Sequence, residues 1–154
     1  MKNKYIWIGL ILILILGVLL AWPKITNPYN QAIAKWNDLG IECLSNGHQN
    51  AGQHIHPHLA IFINGASQII PAEIGNVRSC MAEVHTHDAS GTIHVESYST
   101  NKKFKLQDFF SVWGESIEKP DYKLEMTVDG LLNDQLGNLI MTDKQQIILK
   151  YSKL

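Results

Sequence analysis

Seven histidines lie in this chain of 154 residues, all between His48 and His94. Six of them crowd into two short strings, HIHPH at 54–58 and VHTHDASGTIH at 84–94. Imidazole titrates near neutrality, and its neutral form is the commonest nitrogen ligand for transition metals. Crowded and protonated, such rings repel one another. A cation shared by neutral rings removes that conflict.

The spacing predicts where the rings point. Side chains alternate faces along a strand. If Asp88–Gly91 is a four-residue turn, His87 lies opposite Thr92, His85 opposite His94, and Glu83 opposite Glu96. One face of that hairpin then carries Glu83, His85, His87, His94 and Glu96, and the other Ala82, Val84, Ile93 and Val95. Opposed Cβ atoms lie about 5 Å apart, close enough for two imidazoles to reach one ion. In the other string His54, His56 and His58 share one parity, while Ile55, Leu59, Ile61 and Ile63 share the other. If that strand runs beside the hairpin, up to six rings converge. The predicted metal ligands are therefore His54, His56, His58, His85, His87, His94 and Glu96. His48 sits in a polar loop outside both strings and is read as a non-ligand. The plainer alternative is a surface or pH-responsive histidine cluster without metal.

Imidazole with carboxylate suits Zn, Cu, Ni or Fe. Met81 is the one soft donor near the strings, which disfavours Cu(I). Zn(II) or Cu(II) leads, with non-haem iron as the alternative. Catalytic signatures fit badly. H-E-x-x-H is absent, the Asp of H-x-H-x-D-H is misplaced, and Gly91 stands where a cupin-like site wants Glu. About 110 residues cannot build a TIM barrel. Three function classes remain. The first is a metal-binding carrier, sensor or accessory domain. The second is a metalloenzyme with an open water position and Glu96 or Glu83 as base. The third is a metal-free, pH-responsive interaction domain.

The elements that must position these residues follow an apolar start. Tyr5–Trp22 is uncharged over 18 residues, and as a helix it spans roughly 27 Å, close to the hydrocarbon thickness of a bilayer. Trp7 and Trp22 flank it, and Lys2 and Lys4 precede it, favouring a cytoplasmic N-terminus. No A-x-A triplet precedes Pro23, so a cleaved signal peptide fits less well than a single-pass anchor. The expected organisation is an anchor over 1–23, a stalk over 24–53 and a histidine-rich domain over 54–154. That domain is placed on the extracytoplasmic side of the plasma (inner) membrane. Cys43 and Cys80, the only two cysteines, suit that compartment as one disulfide. Such a loop is worth roughly 4 kcal/mol in the chain-entropy model. Metal ligation or two free thiols are the alternatives. A net charge of -1 without a basic stripe argues against nucleic acid as a partner. The membrane and a metal ion are the partners implied, and the sequence names no protein partner either way.

Within the stalk, Gln31–Leu39 is a candidate short helix. Ile55–Asn64 reads as a strand, Asn64-Gly65 as a hairpin turn, and Ser67–Ala72 as the return strand. Leu106, Phe109, Phe110 and Trp113 fall at i, i+3, i+4 and i+7, a short amphipathic helix stopped by Gly114, with the rings as core. Tyr122–Val128 and Ile147–Tyr151 alternate as strands, and Asp129-Gly130 marks a turn. The sum is an α+β fold: five or six mostly antiparallel strands with one short helix, behind a transmembrane helix.

The strings HIHPHLAIFING, IPAEIG, VHTHDASGTIHVES and FKLQDFFSVWG, with MTVDG and QQIILKY near the end, resemble an uncharacterised family of small, often membrane-anchored bacterial and archaeal proteins. The resemblance covers about residues 43–151. It implies that His54, His56, His58, His85, His87, Asp88, His94 and Glu96 belong to the family pattern, and it implies no activity. Asp88 either orients a histidine or opens the turn through an Asx hydrogen bond, and the turn is preferred. The last third is also similar to the end of a β-grasp domain, a fold-level analogy.

Overall fold

The computed structural model describes residues 2–25, 27–45, 49, 51–78 and 80–154, with 2–5 and 20–25 described by their backbone. His48 lies outside the described residues. The chain forms two compact units, Met1–Lys35 and Trp36–Leu154.

In the first unit α1 runs over Lys2–Ile25. Its described side chains, 6–19, are apolar or glycine. The large ones stand exposed, from Ile8 at 45% to Ile13 at 70%. Among the described residues, no helix is long and apolar enough to cross a membrane. The expected anchor is thus helical, and its membrane role rests on the sequence. A second helix, α2, spans Pro28–Asp38. Pro28 suits its first turn, and the Asn27 Oδ1 accepts the Tyr29 N–H at 2.9 Å, a side-chain cap.

The second unit begins inside the segment expected to be stalk. Trp36, Ile41 and Leu44 are buried at 2–3% exposure, and Cys43 is disulfide-bonded to Cys80. The unit is α+β and mostly antiparallel, with more strands than the sequence suggests. β1 (Cys43–Leu44), β5 (Asn76–Val77) and β6 (Cys80–Ala82) form one sheet in the order β1-β6-β5. β2 (Gln53–Ile55), β7 (Val84–His85) and β8 (His94–Ser97) form another, ordered β2-β8-β7. The largest sheet, β10-β9-β11-β3-β4, uses β3 (His58–Ile63), β4 (Ala66–Gln68), β9 (Tyr122–Val128), β10 (Leu131–Asn133) and β11 (Gln146–Lys153).

The predicted strand over 55–64 is therefore two strands in two sheets, broken at His56-Pro57. Proline has no N–H for the ladder, so the chain changes sheets there. Asn64 (φ 50°) and Gly65 (φ 83°) make the expected tight turn between β3 and β4. The return strand is shorter than predicted, ending at Gln68 rather than Ala72. Asp129 and Gly130 turn β9 into β10, a three-residue strand too short to show alternation in the sequence. β11 lies between β9, antiparallel, and β3, parallel. Alternation along β11 buries Ile147, Leu149 and Tyr151, and Leu59 and Ile61 of β3 do the same. α3 occupies Leu106–Trp113, as the periodicity predicts, burying Leu106, Phe109 and Phe110 and ending at Gly114 (φ 84°).

Candidate metal centre

The sheet β2-β8-β7 carries the site. β7 and β8 pair with Val84 opposite Val95 and His85 opposite His94, the register expected from the sequence. On the other flank of β8, His54 lies opposite Glu96 and Ile55 opposite Val95. One face of the sheet thus carries His54, His85, His94 and Glu96. Val84 and Val95, of the opposite parity, are fully buried. The two histidine strings do meet in space, joined through β8.

Beyond His85 the hairpin departs from the prediction. Thr92 pairs with His58 instead of His87. The Leu59 N–H donates to Gly91 O at 2.8 Å, and the Ile93 N–H to Pro57 O at 2.9 Å. Gly91 (φ 88°) permits this approach, since a Cβ there would lie 2.4 Å from the Leu59 carbonyl oxygen. The connection from His85 to His94 is consequently wider than four residues. Thr86 anchors it. Its N–H donates to Ile74 O, its carbonyl accepts the Glu73 N–H, and its hydroxyl donates to Pro71 O while accepting the Ile74 N–H. This clamp turns the chain so that His87 swings back beside His85. Gly75 lets the clamp close, because a Cβ there would meet Val84 O at 2.8 Å.

Two overlapping donor sets result. His85, His87, His94 and Glu96 each offer one donor atom, all within 4.8 Å of one another, and so do His54, His56 and His94. His94 belongs to both sets. Its ring centroid lies 4.4 Å from His87, 4.7 Å from His56 and 5.4 Å from His85.

The inner set has ordered ligand chemistry. His85 and Glu96 are fully buried. The His85 Nδ1 lies 2.8 Å from Ala82 O. A carbonyl only accepts, so Nδ1 carries the proton and the Nε2 lone pair faces the cluster. That Nε2 lies 3.3 Å from the His87 Nε2. Two ligands on tetrahedral zinc, with bonds of about 2.0–2.1 Å, stand about 3.3–3.4 Å apart. The Glu96 Oε1 lies 3.0 Å from the His54 Nε2, 4.0 Å from the His85 Nε2 and 3.9 Å from the His94 Nδ1. The His94 Nδ1 is buried without a hydrogen-bond partner. Burial, then the neighbouring His87 and His56, lowers the His94 pKa to about 4, outweighing the opposing pull of Glu96. The ring is therefore neutral at pH 7, the form that binds metal.

The structure brings together His54, His56, His85, His87, His94 and Glu96, and it places His58 elsewhere. The break at Pro57 carries His58 into β3, where its Nε2–H donates to Ser90 O at 3.0 Å. Glu83 also leaves the predicted face. It accepts the Ser97 hydroxyl at 2.6 Å and the Glu42 N–H at 2.8 Å, and it is paired with Lys102. Glu83 is thus a buried structural carboxylate. Asp88 opens the turn: its Oδ1 accepts the Ser90 N–H at 2.9 Å. Hydrogen bonds from the Ser90 hydroxyl and backbone hold its carboxyl below the usual value.

Two positioning residues escape the sequence reading, Thr86 and Asp143. The Asp143 Oδ1 accepts the His56 N–H at 2.9 Å and lies 3.8 Å from the His56 Nδ1. It is 87 positions from His56 and looks like an ordinary turn residue. Thr86 carries one signal in the sequence: its parity is opposite to the flanking histidines, the parity of the buried side. No family model, curated protein or solved structure matches the chain.

Proposed function

We propose that this protein is a membrane-anchored, extracytoplasmic metal-binding module, a carrier, sensor or accessory domain, that holds Zn(II) or Cu(II) through His85, His87, His94 and Glu96. The observation that carries this reading is the 3.3 Å separation of the His85 and His87 Nε2 atoms, with His85 fixed from behind by Ala82 O. Donor count favours a binding module over an enzyme. Three imidazoles and a carboxylate complete a tetrahedral set, whereas catalytic zinc keeps one position for water.

Placement at a membrane is supported by the uncharged run Tyr5–Trp22 and by a helix exposing apolar side chains all round. An extracytoplasmic domain suits the Cys43–Cys80 disulfide. The family resemblance carried by HIHPHL and HTHDASGTIHVES suits the anchored placement and implies no activity. The order β4-β3-β11-β9, with β11 parallel to β3 and α3 intervening in the chain, supports the β-grasp analogy.

The test is elemental analysis of the full chain, purified in detergent without a histidine tag. One equivalent of Zn or Cu is expected, with weaker binding in His87→Ala, which removes one of the four inner donors. Metal-free protein that takes up neither ion on loading would refute the reading. Carbonate extraction tests the anchor, since a spanning chain stays in the membrane pellet.

A further inference from the structure

The donor sets overlap in a way that a single static site does not require. The outer set is more open. The His54 and His56 side chains are each 41% exposed, against 0% for His85 and Glu96 and 20% for His94, while His87 also reaches solvent at the edge of the inner set. His94 lies between them and belongs to both.

We propose that the cluster holds one ion in two alternative positions. The outer position, on His54, His56 and His94, captures the ion from solvent. The inner position, on His85, His87, His94 and Glu96, retains it. This deepens the metal-binding reading and rests on it.

Charge and proton counting argue for one ion rather than two. A neutral imidazole has one lone pair, on one of its two nitrogens. His94 can therefore serve only one position at a time unless it loses its second proton. Two dications would face a single carboxylate within both reaches, Glu96, which lies 3.0 Å from His54 and 4.0 Å from His85. Two like charges at such range repel strongly. A single dication beside Glu96 leaves a net charge of one.

Transfer is then a ligand exchange with no redox step. His54 and His56 leave the ion as His85 and His87 bind, while His94 stays within reach of both positions. Glu96 accompanies the move, because its carboxylate already sits between the His54 and His85 rings. Asp143, beside His56 at 3.8 Å, is the positioning residue of the outer set. A carboxylate at one ring nitrogen turns the other toward the ion.

The experiment uses full-length protein in detergent with Cu(II) as the probe, read by electron paramagnetic resonance and by titration. Wild type is expected to bind one ion in one spectral form. His85→Ala/His87→Ala is expected to keep one ion in a second spectral form, at least roughly tenfold weaker. His54→Ala/His56→Ala is expected to keep the wild-type spectrum while loading more slowly in stopped flow. His87→Ala alone, read beside circular dichroism, covers the case in which the buried His85 change disturbs folding. Two ions per wild-type chain overturn the proposal. So does complete loss of binding in folded His87→Ala, or unchanged loading in His54→Ala/His56→Ala. In these cases wild-type binding still stands, so the metal-binding reading survives. Failure of wild type to bind at all removes both.

Discussion

Replacing Lys102 by Met separates the two buried glutamates by role. Glu83 and Glu96 are both fully buried, and by strand parity both belong with the histidines. The structure pairs Glu83 with Lys102 and turns it toward Ser97 and the Glu42 N–H. Lys102 also donates to Gly40 O at 2.6 Å, tying the Trp36–Leu44 segment to the stretch that follows β8. Lys102→Met keeps most of the stem and deletes the charge. Breaking a buried pair from one side costs roughly 3–5 kcal/mol. Here the Lys102 side chain is 26% exposed, and Glu83 keeps two hydrogen bonds, so about 2 kcal/mol is expected. The assay is urea unfolding of the chelated full chain, followed by the emission of Trp36, which is 3% exposed. The double variant Lys102→Met/Glu83→Gln leaves no unpaired charge and should recover about 1 kcal/mol of the loss. Metal affinity should stay within about threefold of wild type, less than 1 kcal/mol. A tenfold loss of affinity with unchanged stability would refute the reasoning and return Glu83 to the metal.

The remaining predictions concern the frame and the rings. Gly91→Ala should destabilise the domain by at least about 2 kcal/mol in the same unfolding assay, because φ is 88° and the new Cβ would meet Leu59 O at 2.4 Å. Wild-type stability in that variant would show that the Gly91–Leu59 contact is not kept. The His94 pKa is lowered to about 4 from 6.5, so as pH falls the unfolded chain takes up the proton first. Metal-free protein should then be stable above pH 6.5 and lose stability from there to about pH 4. The whole shift corresponds to roughly 3 kcal/mol, and the ring's partial exposure reduces this to about 1–2 kcal/mol. A pH series of unfolding curves checks it, and His94→Gln should flatten the profile. Asp143→Asn keeps an acceptor for the His56 N–H but removes the charge beside its ring. It should weaken Cu(II) binding to the His87→Ala background by roughly tenfold while leaving the wild-type inner spectrum unchanged, and equal effects in both backgrounds would contradict the outer placement.

Local pattern and tertiary path contributed differently to the site. The i, i+3, i+4, i+7 spacing of Leu106, Phe109, Phe110 and Trp113 specified α3 to the residue, and alternation specified β9, because each pattern reports one buried face. The pairing of His85 with His94 was legible for the same reason: Val84, Ile93 and Val95 must all face the core, which leaves one parity for the rings. Parity fails where the chain leaves the strand. His58 shares the parity of His54 and His56, yet Pro57 ends one ladder and starts the chain toward another. Glu83 shares the parity of His85, yet it precedes β7, and its direction is set by Lys102, Ser97 and Glu42.

The histidine density and its alternation therefore pointed, without any structure, to a metal-capable face that carries His85, His94 and Glu96. Only the tertiary fold decided that His87 returns to that face past the Thr86 clamp, that Glu83 leaves it, that His54 and His56 form a second set through His94, and that Asp143 stands behind His56. Each of those choices depends on which segment packs beside β8 or closes against residues 56–58. Contacts between segments 40 to 90 positions apart leave no periodic trace in a single chain, because either partner alone looks like an ordinary polar residue.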